Sequence, residues 1–340
     1  MFMNIAINGF GRIGRSAFKA ILDKNHPENK IVALNDLTDT KTLAHLLKYD
    51  SAYGPYEKKV SHTDKAVVVD GVEYPVFASK DPKTLPWKDL QVDLVIESTG
   101  RFTSIEQASA HLQAGAKKVV LTAPSKGDGE MKTIVLGVNE EELKKEDKVF
   151  SMASCTTNCL APMTAVIEKE FGIKKAMMTT THSYTADQVL VDGPHKDLRR
   201  ARAAAANIIP TTTGAALAAA LTIPALKDKF DGLSLRVPTI VVSICDTVYL
   251  LKKKVTAEEI NNAIIAASDS DKLRGILTYT NEPLVSTDFI GNPYSSIVDL
   301  SLTKVVEGDM VKVVSWYDNE WGYSNRLADI AEYIRKNGLI

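Results

Sequence analysis

The apolar positions of this chain change rhythm about halfway along it. Ile5-Ala6-Ile7 forms a short apolar strand, and Ile13, Phe18 and the Ile21-Leu22 pair then fall on one side of a helix. Ile31-Val32-Ala33-Leu34-Asn35 returns to a strand and Thr40–Tyr49 to a helix. Glu57–Val60 and Ala66–Ala78 read as short strands, with Asp70-Gly71 as a turn inside the second stretch. Leu94-Val95-Ile96-Glu97, a helix over Ser104–Ala114, Val119-Val120-Leu121 and a strand ending at Ser151 continue the alternation. Strands and helices taking turns in this way predict a largely parallel, doubly wound sheet over residues 1–153.

From residue 154 onward the strands lengthen and their turns become sparser. Lys175–Thr181 runs as a strand into His182-Ser183-Tyr184-Thr185. Ala186 to Pro210 is polar with little periodicity, and a loop of that length inside a compact domain is usually a functional one. Leu233–Val237, Thr239–Tyr249 and Met310–Tyr317 are rich in β-branched residues and predict a mainly antiparallel sheet. Ala215–Leu221 is Ala-rich. Thr256–Ser268 is a helix with Thr256 and Glu259 as a capping box, and Asn319–Lys336 reads as a terminal helix. The fold expected is α/β: a doubly wound parallel sheet over 1–153, then an α+β domain over 154–318 with a mainly antiparallel sheet.

Two stretches carry chemistry. Gly9, Gly11 and Gly14 in Asn8-Gly9-Phe10-Gly11-Arg12-Ile13-Gly14-Arg15 fit G-x-G-x-x-G between a strand and a helix, the setting that gives this pattern meaning. Gly9 allows a tight turn, Gly11 lets backbone approach a pyrophosphate, and Gly14 lets the helix pack closely on its strand. Asp36 ends the next strand about twenty residues on, where a carboxylate would accept hydrogen bonds from the ribose hydroxyls of NAD and repel the extra phosphate of NADP. These features predict a Rossmann-type NAD site, with the loops at Ser98–Arg101 (Thr99 among them) and Thr122–Pro124 facing its crevice. The second stretch is Ser151-Met152-Ala153-Ser154-Cys155-Thr156-Thr157-Asn158-Cys159-Leu160-Ala161-Pro162. It places Cys155 near the first turn of a helix, where unpaired N–H groups and the positive end of the dipole favour a thiolate. Its polar neighbours argue against a buried small hydrophobe, the reading that suits Cys159 and Cys245. His182, at the end of another element, is the candidate base. Pro162 should deprive the Asn158 carbonyl of its helical partner and bend the helix. Arg200, Arg236 and Thr213-Gly214 suit small phosphate groups, although separation along the chain does not establish that they converge.

Bulk properties narrow the partners. A length of 340 residues suggests two domains, and a formal net charge of −1 predicts no general attraction to nucleic acid or to an anionic membrane. Three cysteines cannot form a disulfide framework, no apolar run approaches a membrane span, and Met1-Phe2-Met3-Asn4 does not begin a signal peptide. No second Cys pair or His pair has ligand spacing, so no metal is expected. A cytoplasmic location follows as the expectation.

With these pieces together, the chain resembles the phosphorylating glyceraldehyde-3-phosphate dehydrogenase family end to end. The resemblance is carried by residues 8–15, Asn35-Asp36-Leu37, Glu97-Ser98-Thr99-Gly100 and Ser154-Cys155-Thr156-Thr157-Asn158-Cys159. It continues through His182-Ser183-Tyr184-Thr185, Asp197-Leu198-Arg199-Arg200-Ala201-Arg202, Thr213-Gly214-Ala215-Ala216, Arg236-Val237-Pro238-Thr239 and Trp316-Tyr317-Asp318-Asn319-Glu320. It implies Cys155 as nucleophile and His182 as base and acid. It places Thr185 and Arg236 at the phosphate of glyceraldehyde 3-phosphate, and Ser154, Thr213, Gly214 and Arg200 at inorganic phosphate, with Thr156 among the substrate contacts. Asn319 would hold the nicotinamide amide, and Arg12, Ile13, Thr99, Thr122 and Tyr323 would join Gly9, Gly11, Gly14 and Asp36 at NAD. A homotetramer is implied, with Leu198–Arg202 reaching a neighbouring subunit and helix 319–340 completing the NAD-binding domain.

The implied reaction oxidises the aldehyde through a Cys155 hemithioacetal and thioester, which inorganic phosphate resolves to 1,3-bisphosphoglycerate. In it an imidazolium beside Cys155 would lower the thiol pKa. Erythrose-4-phosphate dehydrogenase is the alternative, set behind because it generally lacks the Tyr-Thr after His-Ser and the Thr-Gly. The chain departs from the family at Met152 (usually Asn), Leu217 (usually Lys), Ile240-Val241 (commonly Pro-Asn) and Gly193 (often Leu).

Overall fold

In the computed structural model, which describes residues 2–24, 26–126 and 131–340, contacts divide the chain into two compact units. The first comprises residues 1–134, 141–153 and 324–340, and the second 135–140 and 154–323.

The first unit is built around the strand Met3–Asn8, whose Ile5, Ala6 and Ile7 have no exposed surface. Such a run, apolar at successive positions, suits a parallel strand covered on both faces. Asn29–Asn35 pairs with one of its edges and Leu94–Glu97 with the other, both parallel. The sheet continues in parallel through Lys118–Leu121 to Val149–Ser151 on one side, and to Val72–Phe77 on the other. It ends with two antiparallel strands, Ala66–Val69 and Val60–His62. The direction of winding therefore reverses beside Met3–Asn8, and the carboxyl ends of Met3–Asn8 and Leu94–Glu97 open a crevice there. Under the sheet lies a core that includes Ala6, Val95, Val119, Leu121 and the fully buried Trp87.

Two expected elements differ. The strand expected over Glu57–Val60 runs over Val60–His62 instead, because the Lys59 N–H donates to the Asp70 carboxylate (2.9 Å). The helix expected over Ser104–Ala114 is two short ones, Ile105–Ala108 and Ala110–Gln113, joined at Ser109. The Ser109 hydroxyl donates to the Ile105 carbonyl (2.6 Å), the competition with the backbone that weakens Ser inside helices.

Among the described residues the second unit holds an eight-strand sheet in the order Ile209–Thr212, Phe230–Val237, Ile173–Ser183, Ser243–Leu251, Met310–Tyr317, Ser296–Asp299 and Leu277–Thr280, with Lys304–Val306 also paired to Met310–Tyr317. Most pairs are antiparallel, but two are parallel: Ile173–Ser183 with Phe230–Val237, which sets His182 opposite Arg236, and Leu277–Thr280 with Ser296–Asp299. The helix Cys155–Phe171 packs on this sheet and ends at Gly172 in a positive-φ conformation. Pro162 lies inside it and lacks the N–H that would reach the Asn158 carbonyl, yet the helix continues for nine more residues. Thr239–Tyr249, expected as one strand, becomes strand only at Ser243. The residues before it turn sharply, with Val242 at φ +70°, a strained conformation for a β-branched residue. The polar stretch from Ala186 to Pro210 is irregular apart from one short turn of helix at Ala204–Ala206 and the start of Ile209–Thr212. Arg202–Asp192 and Ala203 N–Asp192 bonds tie it to itself.

Candidate active site

The crevice of the first unit is a cavity of about 310 Å³ lined by Asn8, Gly9, Asn35, Asp36, Ser98 and Thr99, among others. Gly9 turns the chain at φ +90°, and a Cβ there would stand 2.7 Å from the Thr99 nitrogen. A Cβ on Gly14 would fall 2.1 Å from the Gly9 carbonyl oxygen, so only glycine lets the helix start this close to its strand. The helix Arg12–Asp23 begins at Gly11 with no side-chain cap, while space is open around the Gly11 Cα. An uncapped helix start and bare backbone suit a pyrophosphate. Asp36 lies at the crevice, accepting from Phe10 N (2.7 Å) and Thr38 N (3.0 Å). Each of its oxygens keeps a second lone pair for a ribose hydroxyl. The residues present fit a dinucleotide.

Of the other positions expected at the cofactor, Arg12 sends its guanidinium to Asp50 (3.1 Å) and over the Tyr53 ring. Ile13 is half-buried in the first helical turn, and Thr122 donates its N–H to Glu97 O (3.0 Å). Thr99 is fixed by a carboxylate that sequence reasoning passed over. Glu97, 3% exposed, accepts on Oε1 from Thr99 N (2.8 Å) and Thr99 Oγ1 (2.5 Å). Its Oε2 takes Asn8 Nδ2 (2.5 Å) and His111 Nε2 (2.9 Å). Trp87 Nε1 donates to His111 Nδ1 (2.9 Å), which places the His111 proton on Nε2, facing Glu97.

In the second unit, Ser154 is the N-cap of the helix that opens with Cys155, and its Oγ accepts from Thr157 N (3.1 Å). Cys155 Sγ lies 3.4 Å from His182 Nε2. His182 Nδ1 is 2.7 Å from Ser183 O and also 2.7 Å from Arg236 Nη1, which itself reaches Ser183 O at 3.1 Å. Tyr317, not among the expected site residues, organises the floor. Its hydroxyl bonds Thr156 Oγ1 (2.9 Å) and Thr180 Oγ1 (2.8 Å), and its ring meets His182 edge-on at 5.9 Å. Thr156 thus turns its hydroxyl inward to the floor. No local signal singled out Tyr317, since its strand also carries Lys312 and the hydroxyl of Ser315.

The electrostatics correct one expectation. Burial pushes the Cys155 thiol up, against the pull of Arg236 and of the Thr156 hydroxyl and N–H toward thiolate. Burial, then Arg236, lowers His182 to about 3. The resting pair is therefore a thiol beside a neutral imidazole, and no imidazolium is stored there to depress the thiol pKa. Desolvation costs both ions; Arg236 returns part of that cost to the thiolate and adds to the cost of the imidazolium.

Donors for anions gather around the pair. Thr185 N (2.7 Å) and Oγ1 (3.3 Å) both go to Gln188 Oε1, while Gln188 Nε2 and Arg236 Nε are buried with no acceptor from the protein. Buried N–H groups of this kind call for an acceptor from outside. Arg200 is engaged by Asp187, by Thr211 Oγ1 (2.6 Å) and by Thr212 O (3.3 Å). Thr213 Oγ1 caps Ala215 N (3.2 Å), and Gly214 begins the helix Ala215–Thr222 without a side-chain cap. Asn319 is buried, its Oδ1 accepting from Ser243 Oγ (2.9 Å), and Tyr323 is buried with its phenol pushed well up by desolvation. Met152 is fully buried, with its N–H on Leu121 O (3.0 Å). Cys159 and Cys245 are buried free thiols. Among the described residues no cluster of side chains could hold a metal ion, and no helix is long and apolar enough to cross a membrane.

Comparison with known proteins gives one result throughout. Residues 3–105 match the family described as glyceraldehyde 3-phosphate dehydrogenase, NAD binding domain, and residues 154–319 match its C-terminal domain. A Geobacillus stearothermophilus protein named glyceraldehyde-3-phosphate dehydrogenase is 55% identical over 340 residues, covering 100% of both chains. Proteins of the same name from Borreliella burgdorferi and Thermotoga maritima are each 55% identical over 98% of this chain, covering 100% and 99% of theirs.

Proposed function

The chain belongs to the glyceraldehyde-3-phosphate dehydrogenase family, and from that premise we propose which of its residues carry the reaction. It is an NAD-dependent enzyme that oxidises D-glyceraldehyde 3-phosphate with inorganic phosphate to 1,3-bisphosphoglycerate, reversibly, the glycolytic reaction. The observation that carries the assignment of roles is Cys155 at the start of a helix with its sulfur 3.4 Å from His182 Nε2.

For His182 Nε2 to take the thiol proton, the ring's own proton must lie on Nδ1, where Ser183 O accepts it; Arg236 Nη1, a donor 2.7 Å from the same nitrogen, then turns from it to the substrate phosphate. Cys155 Sγ then adds to the aldehyde carbon while His182 Nε2 returns its proton to the carbonyl oxygen, which forms a hemithioacetal and frees Nε2 again. His182 Nε2 takes the hemithioacetal hydroxyl proton at the oxidation step, which leaves a thioester on Cys155. NAD, when bound, supplies the hydride acceptor for that step. Gly9, Gly11, Gly14 and Asp36 hold the dinucleotide, with Arg12, Ile13, Thr99, Thr122 and Tyr323 around it, and Asn319 holds the nicotinamide carboxamide. Arg236 and Thr185 bind the substrate phosphate, where the unmatched Arg236 Nε and Gln188 Nε2 supply donors. Ser154, Thr213, Gly214 and Arg200 bind the inorganic phosphate that attacks the thioester, and Arg200 exchanges Asp187 for it; Thr156, its hydroxyl held by Tyr317, stands among the substrate contacts through its backbone.

We assign NAD binding to residues 1–153 with the C-terminal segment 319–340, whose helix runs Trp321–Lys336, and catalysis to 154–318. A homotetramer in the cytoplasm completes the reading. Leu190, Val191, Leu198, Ile208, Leu217 and Leu221 are all more than three-fifths exposed, an apolar surface that a second copy would cover. Two family departures, Leu217 and Ile240, fall among the exposed apolar positions.

The test is NADH formation from glyceraldehyde 3-phosphate with and without inorganic phosphate, set against erythrose 4-phosphate. Phosphate-dependent reduction of NAD with preference for glyceraldehyde 3-phosphate is expected. Phosphate-independent hydrolysis, or no NADH, would reject the assignment.

A further inference from the structure

The residue after the catalytic histidine is joined to Asn319 by a single hydroxyl. Ser183 N donates to Ser243 Oγ (3.1 Å), and Ser243 Oγ lies 2.9 Å from Asn319 Oδ1. An oxygen that already accepts from a backbone N–H has its own proton free, and the acceptor within reach is the Asn319 amide oxygen. We propose that Ser243 is a positioning residue that fixes which way round the Asn319 amide lies and so presents its NH₂ group, rather than its oxygen, to the cofactor.

The orientation matters because an amide is a donor on one side and an acceptor on the other. The carboxamide oxygen of a nicotinamide ring is an acceptor, and it is matched only by Asn319 Nδ2. With Ser243 in place the Asn319 oxygen is engaged and the NH₂ group is what remains to be offered. Without the hydroxyl, either side of the amide could face the ring, and one of the two sets oxygen against oxygen.

The surroundings make Ser243 rigid. It is 1% exposed, begins the strand Ser243–Leu251, and stands opposite Tyr317 in the sheet register, two residues before Asn319. Val242 just before it adopts φ +70°, and this turn aims the Val242 carbonyl at Ser183 Oγ (2.7 Å). Ser183 is thus gripped at its N–H by Ser243 and at its hydroxyl by Val242. Its carbonyl is the group that His182 Nδ1 contacts at 2.7 Å. One clamp therefore sets the imidazole of the base and the amide of Asn319 together.

The inference rests on the reading that Asn319 holds the nicotinamide, and the experiment separates the two. NAD and ADP-ribose, which lacks the nicotinamide, are titrated calorimetrically into the full-length wild type, Ser243→Ala and Asn319→Ala. Removing the hydroxyl should weaken NAD by about tenfold, the scale of one lost hydrogen bond, and leave ADP-ribose within about twofold. The thermal midpoint of Ser243→Ala should fall by a few degrees, because the buried Ser183 N–H loses its acceptor, while retained ADP-ribose binding shows that the fold persists. Asn319→Ala should show the same selective loss. If Asn319→Ala loses NAD selectively and Ser243→Ala does not, the role of Ser243 is wrong and the reading of Asn319 stands. If Ser243→Ala loses both ligands alike, its role is general packing and the inference fails. If Asn319→Ala binds NAD as wild type does, the reading falls and the inference with it.

Discussion

Replacing Glu97 by Gln changes one atom of a buried side chain, and the hydrogen-bond geometry fixes what that costs. Each Glu97 oxygen accepts two bonds: Oε1 from the N–H and hydroxyl of Thr99, Oε2 from Asn8 Nδ2 and His111 Nε2. A glutamine must put an NH₂ group at one of these places. At the Oε2 side it would face two donors that cannot reverse, since Trp87 Nε1 already occupies His111 Nδ1 and Asn8 Oδ1 is taken by Asn35 Nδ2 at 2.6 Å. At the Oε1 side the Thr99 hydroxyl can rotate and accept, but the Thr99 N–H cannot. The cheaper arrangement leaves one buried N–H against a donor and removes the charge from the remaining bonds. Such changes cost roughly 1–3 kcal/mol for an unsatisfied group and somewhat more where a charge-assisted bond is lost, so a loss of about 2–4 kcal/mol is expected. For a unit of this size that lowers the melting midpoint by on the order of 5–10 °C. Thr99 lines the cofactor crevice, so NAD affinity should fall as well while Cys155 alkylation stays unchanged. Scanning calorimetry and NAD titration of Glu97→Gln would measure both. A melting midpoint within about 1 °C of wild type, with unaltered NAD affinity, would refute the reasoning.

Other outcomes follow from the same geometry. Cys155→Ser should lower aldehyde oxidation by about 10³-fold or more while NAD binding persists, and normal turnover would remove Cys155 as nucleophile. Asp187→Asn frees Arg200 from a partly exposed ion pair, worth at most about 1 kcal/mol, so KM for phosphate should fall about two- to fivefold; an unchanged value would mean that Asp187 and phosphate do not compete. Stability should decline in acid in two stages. His182 is lowered to about 3 in the fold, so its contribution is complete above about 6.5, its ordinary value, and is lost as pH falls toward 3. Glu332 is lowered to about 2, chiefly by Arg335, so its contribution is complete above its ordinary 4.5 and goes as pH falls toward 2. Melting curves between pH 3 and 8 should show the upper stage flattened in His182→Asn and the lower one kept; identical profiles would contradict the buried neutral imidazole.

The sequence by itself determined whatever depends on neighbours a few residues apart. Gly9, Gly11 and Gly14 specified a strand–turn–helix because Gly9 needs a positive φ and Gly14 a bare backbone, and both needs are local. Ser154 caps Cys155's helix and Thr256 boxes with Glu259 for the same reason, since a cap reaches only its own first turn. Thr239–Val242, by contrast, had the β-branched composition of a strand and became a strained turn, because Ser183 and Ser243 needed partners there more than the strand needed length. Arg236 stands beside His182 through the parallel register of two strands 54 residues apart, a pairing no local pattern encodes. Tyr317 reached Thr156 and Thr180 the same way, across 161 and 137 residues of chain. The charge state of the catalytic pair was decided at that level too. Helix start and residue type favoured a thiolate, but desolvation is set by everything packed around Cys155 and His182, and only the tertiary structure supplies that surrounding.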